Sequence, residues 1–240
     1  MKYLVVFVLF LVSCKKSGTS KTEERQNVKV GDTLHNTPAK KDAAAYGALI
    51  PYDEKDDPEP HHSRSIQDTV TPNGWKITYL VKNDSTQHKD LYIQWSKGGV
   101  KRTYRGSILL DLQSYFTPVF KTDTKDYIYM KCEVRGGDAL LILPKDATTP
   151  ERNFSYVVGY SAEFAQVAYI PESSYSLEEM TIEACDIKSG KIQSVQFRKP
   201  CTVTPEGDCL LKAEFDGKHV KIFSDSDGND AVSEIKTITF

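Results

Sequence analysis

From about residue 70 the chain alternates apolar and polar positions with a period of two, the repeat of a strand with one face turned inward. Trp75–Val81 (WKITYLV) predicts a strand. So does Leu91–Trp95, followed by the turn Lys97-Gly98-Gly99 and a return strand over Val100–Tyr104. Tyr127–Val134 alternates cleanly, with Ile128, Met130, Cys132 and Val134 on one face and Tyr127, Tyr129, Lys131 and Glu133 on the other. The turn Gly136-Gly137 leads into Ala139–Leu143. Met180–Ile187, a Ser189-Gly190 turn and Ile192–Phe197 predict a hairpin. Leu210–Phe215, Asp216-Gly217 and His219–Phe223 predict another, and Val232–Phe240 a final strand. The one helical candidate, Ser107–Phe116, reads equally well as a strand.

A weak repeat runs through these strands. Phe116-x-Pro118 precedes Asp126-Tyr127-Ile128, and Glu163-Phe164 precedes Val167–Ile170. Asp186-Ile187-Lys188-Ser189-Gly190-Lys191 then resembles the D-[IL]-x-x-G-[KR] turn common in β-propellers. The spacing is about 40 residues, near that of propeller blades, and the domain holds only about four such units. The expected fold class is all-β, with antiparallel hairpins over residues 67–240 forming a β-sandwich or a small propeller-like domain.

The N-terminus follows different rules. Lys2 supplies a positive charge, Tyr3–Val12 is an apolar run of ten residues, and Ser13 precedes Cys14. A bilayer span needs roughly 20 apolar residues, so this run reads as a secretory signal over residues 1–13. Leu11-Val12-Ser13-Cys14 resembles the bacterial lipobox. The resemblance implies cleavage before Cys14 and attachment of lipid to its thiol, with two or three acyl chains giving stable anchoring. Lys15-Lys16-Ser17-Gly18 follows, without the Asp that signals inner-membrane retention or the acidic cluster that signals surface export. The resemblance therefore implies the outer membrane, facing the periplasm.

Residues 14–66 read as a lipid-anchored tether rich in Lys, Glu, Asp, Thr, Ser and Pro, which buries too little to offset its ordering entropy. Its r.m.s. span is roughly 40 Å. One apolar island, Ala43–Tyr52, breaks the pattern and is placed to dock on the folded domain, to bind a partner, or to do neither.

Removal of residues 1–13 takes away one lysine, so 30 basic against 33 acidic residues leave a mature net charge of −3. That balance argues against nucleic acid as a partner. Four further cysteines, Cys132, Cys185, Cys201 and Cys209, fit an oxidising compartment. Cys201 and Cys209 bracket a turn-rich loop and form the expected disulfide, contributing roughly 2–3 kcal/mol. Cys132 and Cys185 sit mid-strand, either paired or as buried thiols. No C-x-x-C spacing points to zinc.

Chemistry is sparse. His35, His61 and His62 lie in the tether, His88 in a loop, and His219 at an exposed hairpin position. Ser161 lacks the second glycine of G-x-S-x-G. The candidate Ca²⁺ ligands are Asp225, Asp227, Asn229 and Asp230, but the glycine stands fourth in that loop and Lys236 stands where an EF-hand carries glutamate. The loop reads first as a solvated turn. The Asp53–His62 run of acids and histidines likewise reads as solvated charge. Tyr92, Trp95, Tyr127 and Tyr129 are the candidates for stacking on sugars or peptides, with ordinary packing as the simpler account. The expected function is a binding module for an envelope protein or glycan, with no catalytic residue assigned and the membrane reached through the lipid. The alternative is a hydrolase with an unrecognised carboxylate site. Cys14→Ser is expected to abolish fatty-acid labelling of the chain in cells; label retained in that variant would refute the lipidation site.

Overall fold

The structure is a computed structural model that describes residues 48–53, 66–82, 90–109, 116–134, 137–172, 180–197, 211–224, 232 and 234–240. Cys14, Cys201, Cys209, Asp225, Asp227, Asn229 and Asp230 lie outside the described residues. Strands dominate, and no α-helix occurs among the described residues. Sheet 1 contains β1 (Leu49–Pro51), β2 (Thr69–Val70), β3 (Lys76–Lys82), β4 (Asp90–Lys97) and β5 (Val100–Leu109). Sheet 2 contains β6 (Val119–Asp123), β7 (Tyr127–Val134), β8 (Gly137–Pro144) and β9 (Arg152–Phe154). Sheet 3 contains β10 (Val157–Ser161), β11 (Gln166–Tyr169), β12 (Met180–Asp186) and β13 (Ile192–Phe197). Sheet 4 contains β14 (Leu211–Phe215), β15 (His219–Ser224) and β16 (Glu234–Thr239). The fold is all-β, and every strand pair among the described residues is antiparallel.

Sheets 2, 3 and 4 are simple meanders, each strand pairing with its neighbour in sequence. Three apolar clusters join the sheets in chain order. Ile77, Val81, Ile93 and Trp95 of sheet 1 meet Ile128, Met130, Leu141 and Leu143 of sheet 2. Tyr127, Tyr129, Leu140 and Ile142, the alternate positions of the same two strands, meet Val167 and Cys185 of sheet 3. Ala168, Ile182 and Ala184 on the other face of sheet 3 meet Val220, Ile222 and Ile238 of sheet 4. Successive side chains of a strand point to opposite faces, so sheets 2 and 3 are apolar on both.

One backbone hydrogen bond recurs in three sheets. The residue after the third strand donates its N–H to the turn between the first two: Lys145 to Asp126 (2.9 Å), Ile187 to Ala165 (2.8 Å) and Phe240 to Lys218 (2.9 Å). Sheets 2, 3 and 4 thus share this one backbone tie, though their turn sequences differ.

The apolar island within residues 14–66 docks in part. Leu49, Ile50 and Pro51 pair with Lys82, Val81 and Leu80 of β3, the Tyr52 N–H donates to Tyr79 O (2.9 Å), and Ile50 and Tyr52 pack on the first cluster. Proline, which has no N–H to give, is tolerated here because β1 is an edge strand. The helix-or-strand segment Ser107–Phe116 begins as strand, since β5 runs to Leu109.

Sheets 3 and 4 interlock at their turns. Buried Gln166 donates from Nε2 to Gly217 O (3.0 Å), and a Cβ on Gly217 (φ +89°) would lie 3.0 Å from the Phe164 ring. Ala165 has φ 55° and is buried. Gly217→Ala is expected to cost about 1–2 kcal/mol in urea unfolding, because both the left-handed backbone and the ring oppose a side chain. Ala165→Gly is expected to change stability by less than about 1 kcal/mol, since the loss of one buried methyl, about 0.8 kcal/mol, is offset by relief of backbone strain.

Candidate functional site

The four aromatic candidates are all internal. Trp95 is buried in the cluster between sheets 1 and 2, and its indole N–H donates to Pro144 O at 2.8 Å. Tyr127 and Tyr129 face sheet 3 rather than solvent. Tyr129 stacks on Tyr160 with centroids 5.8 Å apart and planes at 16°, and meets Tyr127 edge-on. Burial pushes the Tyr129 phenol well above its usual range. Tyr92 is buried on the opposite face of sheet 1, where it pairs across strands with Leu80. The alternation in Tyr127–Val134 is real, but both faces are covered, because sheet 2 lies between two others. These rings therefore pack the interior and do not form an open stacking surface.

The most enclosed charges lie where sheets 1 and 2 meet. The turn Thr71–Gly74 is closed by Gly74 N–H to Thr71 O (2.8 Å), with Gly74 at φ +75°. Trp75 N–H donates to the Thr71 hydroxyl oxygen (3.2 Å), and that hydroxyl donates to Asp123 Oδ2 (2.8 Å). Lys145 Nζ donates to the same Oδ2 (2.7 Å) and to Thr124 O, and lies 5.9 Å from the Trp75 ring centroid. The Lys145 and Asp123 side chains are only 6% and 1% exposed. Burial alone would raise the Asp123 pKa, but hydrogen bonds from Lys145, Thr71 and Asn73 and the charge of Lys145 outweigh it and hold the carboxyl below its usual range. With acceptors on both sides, the Lys145 ammonium is held in place rather than offered as a nucleophile.

A second tie lies beside it. Arg102 of β5 covers the Trp95 ring at 5.2 Å, donates from Nη1 to Asp146 O and Thr149 O (both 2.7 Å), and pairs through Nη2 with Glu151 (2.6 Å). Asp146 Oδ1 accepts from Thr148 N and Thr149 N, and the turn's hydrogen bonds overcome desolvation and hold its carboxyl well below the usual range. Asp186 staples its turn in the same way, accepting from Ser189 N–H and hydroxyl (both 2.7 Å). That bond accounts for the Asp that opens the Asp186–Lys191 turn.

Cys132 and Cys185 are buried thiols, on β7 and β12 respectively. Arg152 Nη1 donates to Cys185 Sγ at 3.6 Å. Burial dominates and pushes the Cys185 thiol up to about 11, so it is not a thiolate nucleophile at neutral pH.

The outward face of sheet 4 is different. The register aligns Lys212, Phe223 and Ile235 in one row and Glu214, Lys221 and Thr237 in the next. The ammonium groups of Lys212 and Lys221 lie 5.7 and 5.3 Å from the Phe223 ring centroid. Ile235 is 50% exposed. His219 stands at the exposed position the sequence predicts and pairs with Asp216 at 2.9 Å. Hydrogen bonds from the His219 side chain and from the His219 and Lys218 backbone hold the Asp216 carboxyl down to about 2. Sequence reasoning did not single out Phe223 and Ile235. The alternation in His219–Ser224 marks Phe223, which shares the outward parity of Lys221. No such local signal exists for Asp123 and Lys145, which are 22 residues apart.

Breaking the buried pair by Asp123→Ala or Lys145→Met is expected to cost about 3–5 kcal/mol each, because the surviving charge is stranded. The double variant is expected to lose clearly less than the sum, as read from a double-mutant cycle in urea. The depressed Asp123 pKa gives stability that is present above the unfolded carboxylate value and lost as pH falls through the folded value. Asp123→Asn should therefore flatten the acid limb of the stability profile below about pH 4. No protein-family model matches this chain, and no curated protein or solved structure is significantly similar to it.

Proposed function

We propose that this chain is a lipid-anchored cell-envelope protein, exported by residues 1–13 and held at Cys14 in the outer membrane facing the periplasm, whose β-domain binds a protein or glycan partner. The four successive sheets are read as blade-like units of a propeller-like stack, a reading supported by the backbone bond repeated at Lys145, Ile187 and Phe240. The observation that carries the binding reading is the outward face of sheet 4. There Phe223 stands between Lys212 and Lys221, beside exposed Ile235. An aromatic ring flanked by ammonium groups suits the apolar face of a sugar or an aromatic partner side chain, while the lysines meet acidic or hydroxyl groups around it. The buried charges described above are engaged in holding sheets 1 and 2 together, which leaves this face as the surface with chemistry to offer among the described residues.

The test is co-sedimentation of the purified mature chain with two separated fractions, cell-wall glycan and outer-membrane vesicles. Phe223→Ser combined with Lys221→Glu is expected to weaken retention at least tenfold in one fraction, with the circular dichroism spectrum unchanged. Equal retention of variant and parent would exclude sheet 4 as the binding face. Soluble fragments released from the glycan would replace the binding reading with a hydrolytic one.

A further inference from the structure

We propose that the outward face of sheet 4 takes a carboxylate-bearing sugar, a uronic acid residue of an acidic polysaccharide, with the sugar's C–H face on Phe223 and its carboxylate on Lys221. The inference rests on the reading of this face as the binding surface and names what the face takes. Lys212, Glu214, His219, Lys221, Thr237 and Thr239 point outward and are exposed, whereas sheets 2 and 3 are apolar on both faces. The residues themselves therefore mark this face as one that meets water. Two rows cross it. Lys212, Phe223 and Ile235 form one, and Glu214, Lys221 and Thr237 form the next, two residues or about 7 Å along the strands. A sugar ring stacked on Phe223 reaches the polar row with the substituents on its rim, and the flexible lysine stems close the remaining distance.

The two lysines beside Phe223 are not equivalent. Lys212 Nζ pairs with Glu214 Oε1 at 2.6 Å, so its charge is already met. Lys221 stands directly across the ladder from Glu214, forms no ion pair among the described residues, and lies 5.3 Å from the Phe223 ring centroid. One ammonium without a counter-charge, set beside an aromatic ring, matches a ligand with one negative charge and one apolar face. A carboxylate carries that single charge. A phosphate monoester carries about 1.5–2 and would leave the excess beside Glu214. The hydrogen bond from Lys212, and then its charge, hold the Glu214 carboxyl below its usual range, so Glu214 is an ionised acceptor for a sugar hydroxyl. Thr237, the next residue in that row, both donates and accepts. The same Glu214, with Asp216 at the adjoining turn, repels an extended anionic surface such as a membrane or a run of acidic residues. A discrete ring with one acid and several hydroxyls satisfies all of these groups together.

The test is titration calorimetry of the purified mature chain with polygalacturonate, alginate and hyaluronate, each beside its carboxyl-reduced neutral form. Poly-glutamate serves as an acidic polymer without sugar rings. At least one of the three is expected to bind about tenfold more tightly than its reduced form, and poly-glutamate no more tightly than the reduced forms. Phe223→Ser, with an unchanged circular dichroism spectrum, is expected to abolish binding. Lys221→Gln is expected to bring acidic and reduced forms within about twofold of one another. Glu214→Gln keeps an acceptor oxygen but frees the Lys212 ammonium, and is expected to tighten binding of the acidic polymer about threefold. The proposal is overturned by no binding to any of the three, by equal binding of acidic and reduced forms, or by equal binding of poly-glutamate. It is also overturned if Lys221→Gln keeps the preference for acid or if Glu214→Gln weakens binding. Where one of these results occurs and Phe223→Ser with Lys221→Glu still loses retention on a cell fraction, only the uronic acid assignment falls. Full retention by that double variant removes the binding face as well.

Discussion

Sheets 2 and 3 are apolar on both faces, and the rest of the structure follows from that constraint. The cluster between sheets 1 and 2 alone gathers eleven buried side chains, among them Trp75, Trp95 and Met130. Each large apolar side chain is worth about 1.5–3 kcal/mol when buried. Exposing one such interface would therefore exceed the roughly 5–15 kcal/mol net stability of an ordinary domain. No inner sheet can stand without both neighbours, so the described strands form one cooperative stack. The docking of Leu49–Pro51 obeys the same rule, because Ile50 and Tyr52 extend the first cluster at its edge.

Polar groups set the alignment of this stack rather than its bulk energy. A buried ion pair contributes little net stabilisation over apolar packing, yet its loss is costly. Asp123 and Lys145 join the end of β6 to the end of β8, and Thr71 brings the first turn of sheet 1 onto the same carboxylate. Arg102 does the same from β5 to the segment Asp146–Glu151. Between sheets 3 and 4 the corresponding tie is a neutral one, from Gln166 to Gly217. Each tie meets the next sheet in a single position, whereas apolar faces alone would tolerate sliding.

Sheet 4 has one face on the core and the other exposed, so its strands read with the cleanest alternation: buried Val220 and Ile222 against exposed His219 and Lys221. Lys212, Glu214, Lys221 and Thr237 make that exposed face polar, and Phe223 and Ile235 depart from it.

The sequence by itself determined the strands and their pairing wherever contacts are local. The period-two runs and glycine turns mark β4–β5, β7–β8, β12–β13 and β14–β15 because a hairpin's register is set within a few residues of its turn. It also determined the apolar island before the domain, though not where that island would dock. Short strands such as β6, β9 and β10 carry too few alternating positions to stand out. Only the tertiary structure decided that Tyr127 and Tyr129 are interior, because a strand's pattern separates its two faces without saying what covers each. Only the tertiary structure could join Thr71 to Asp123 across 52 residues, or set Lys145 beside that carboxylate. Such contacts form between elements distant in the chain, and they exist once the sheets have stacked.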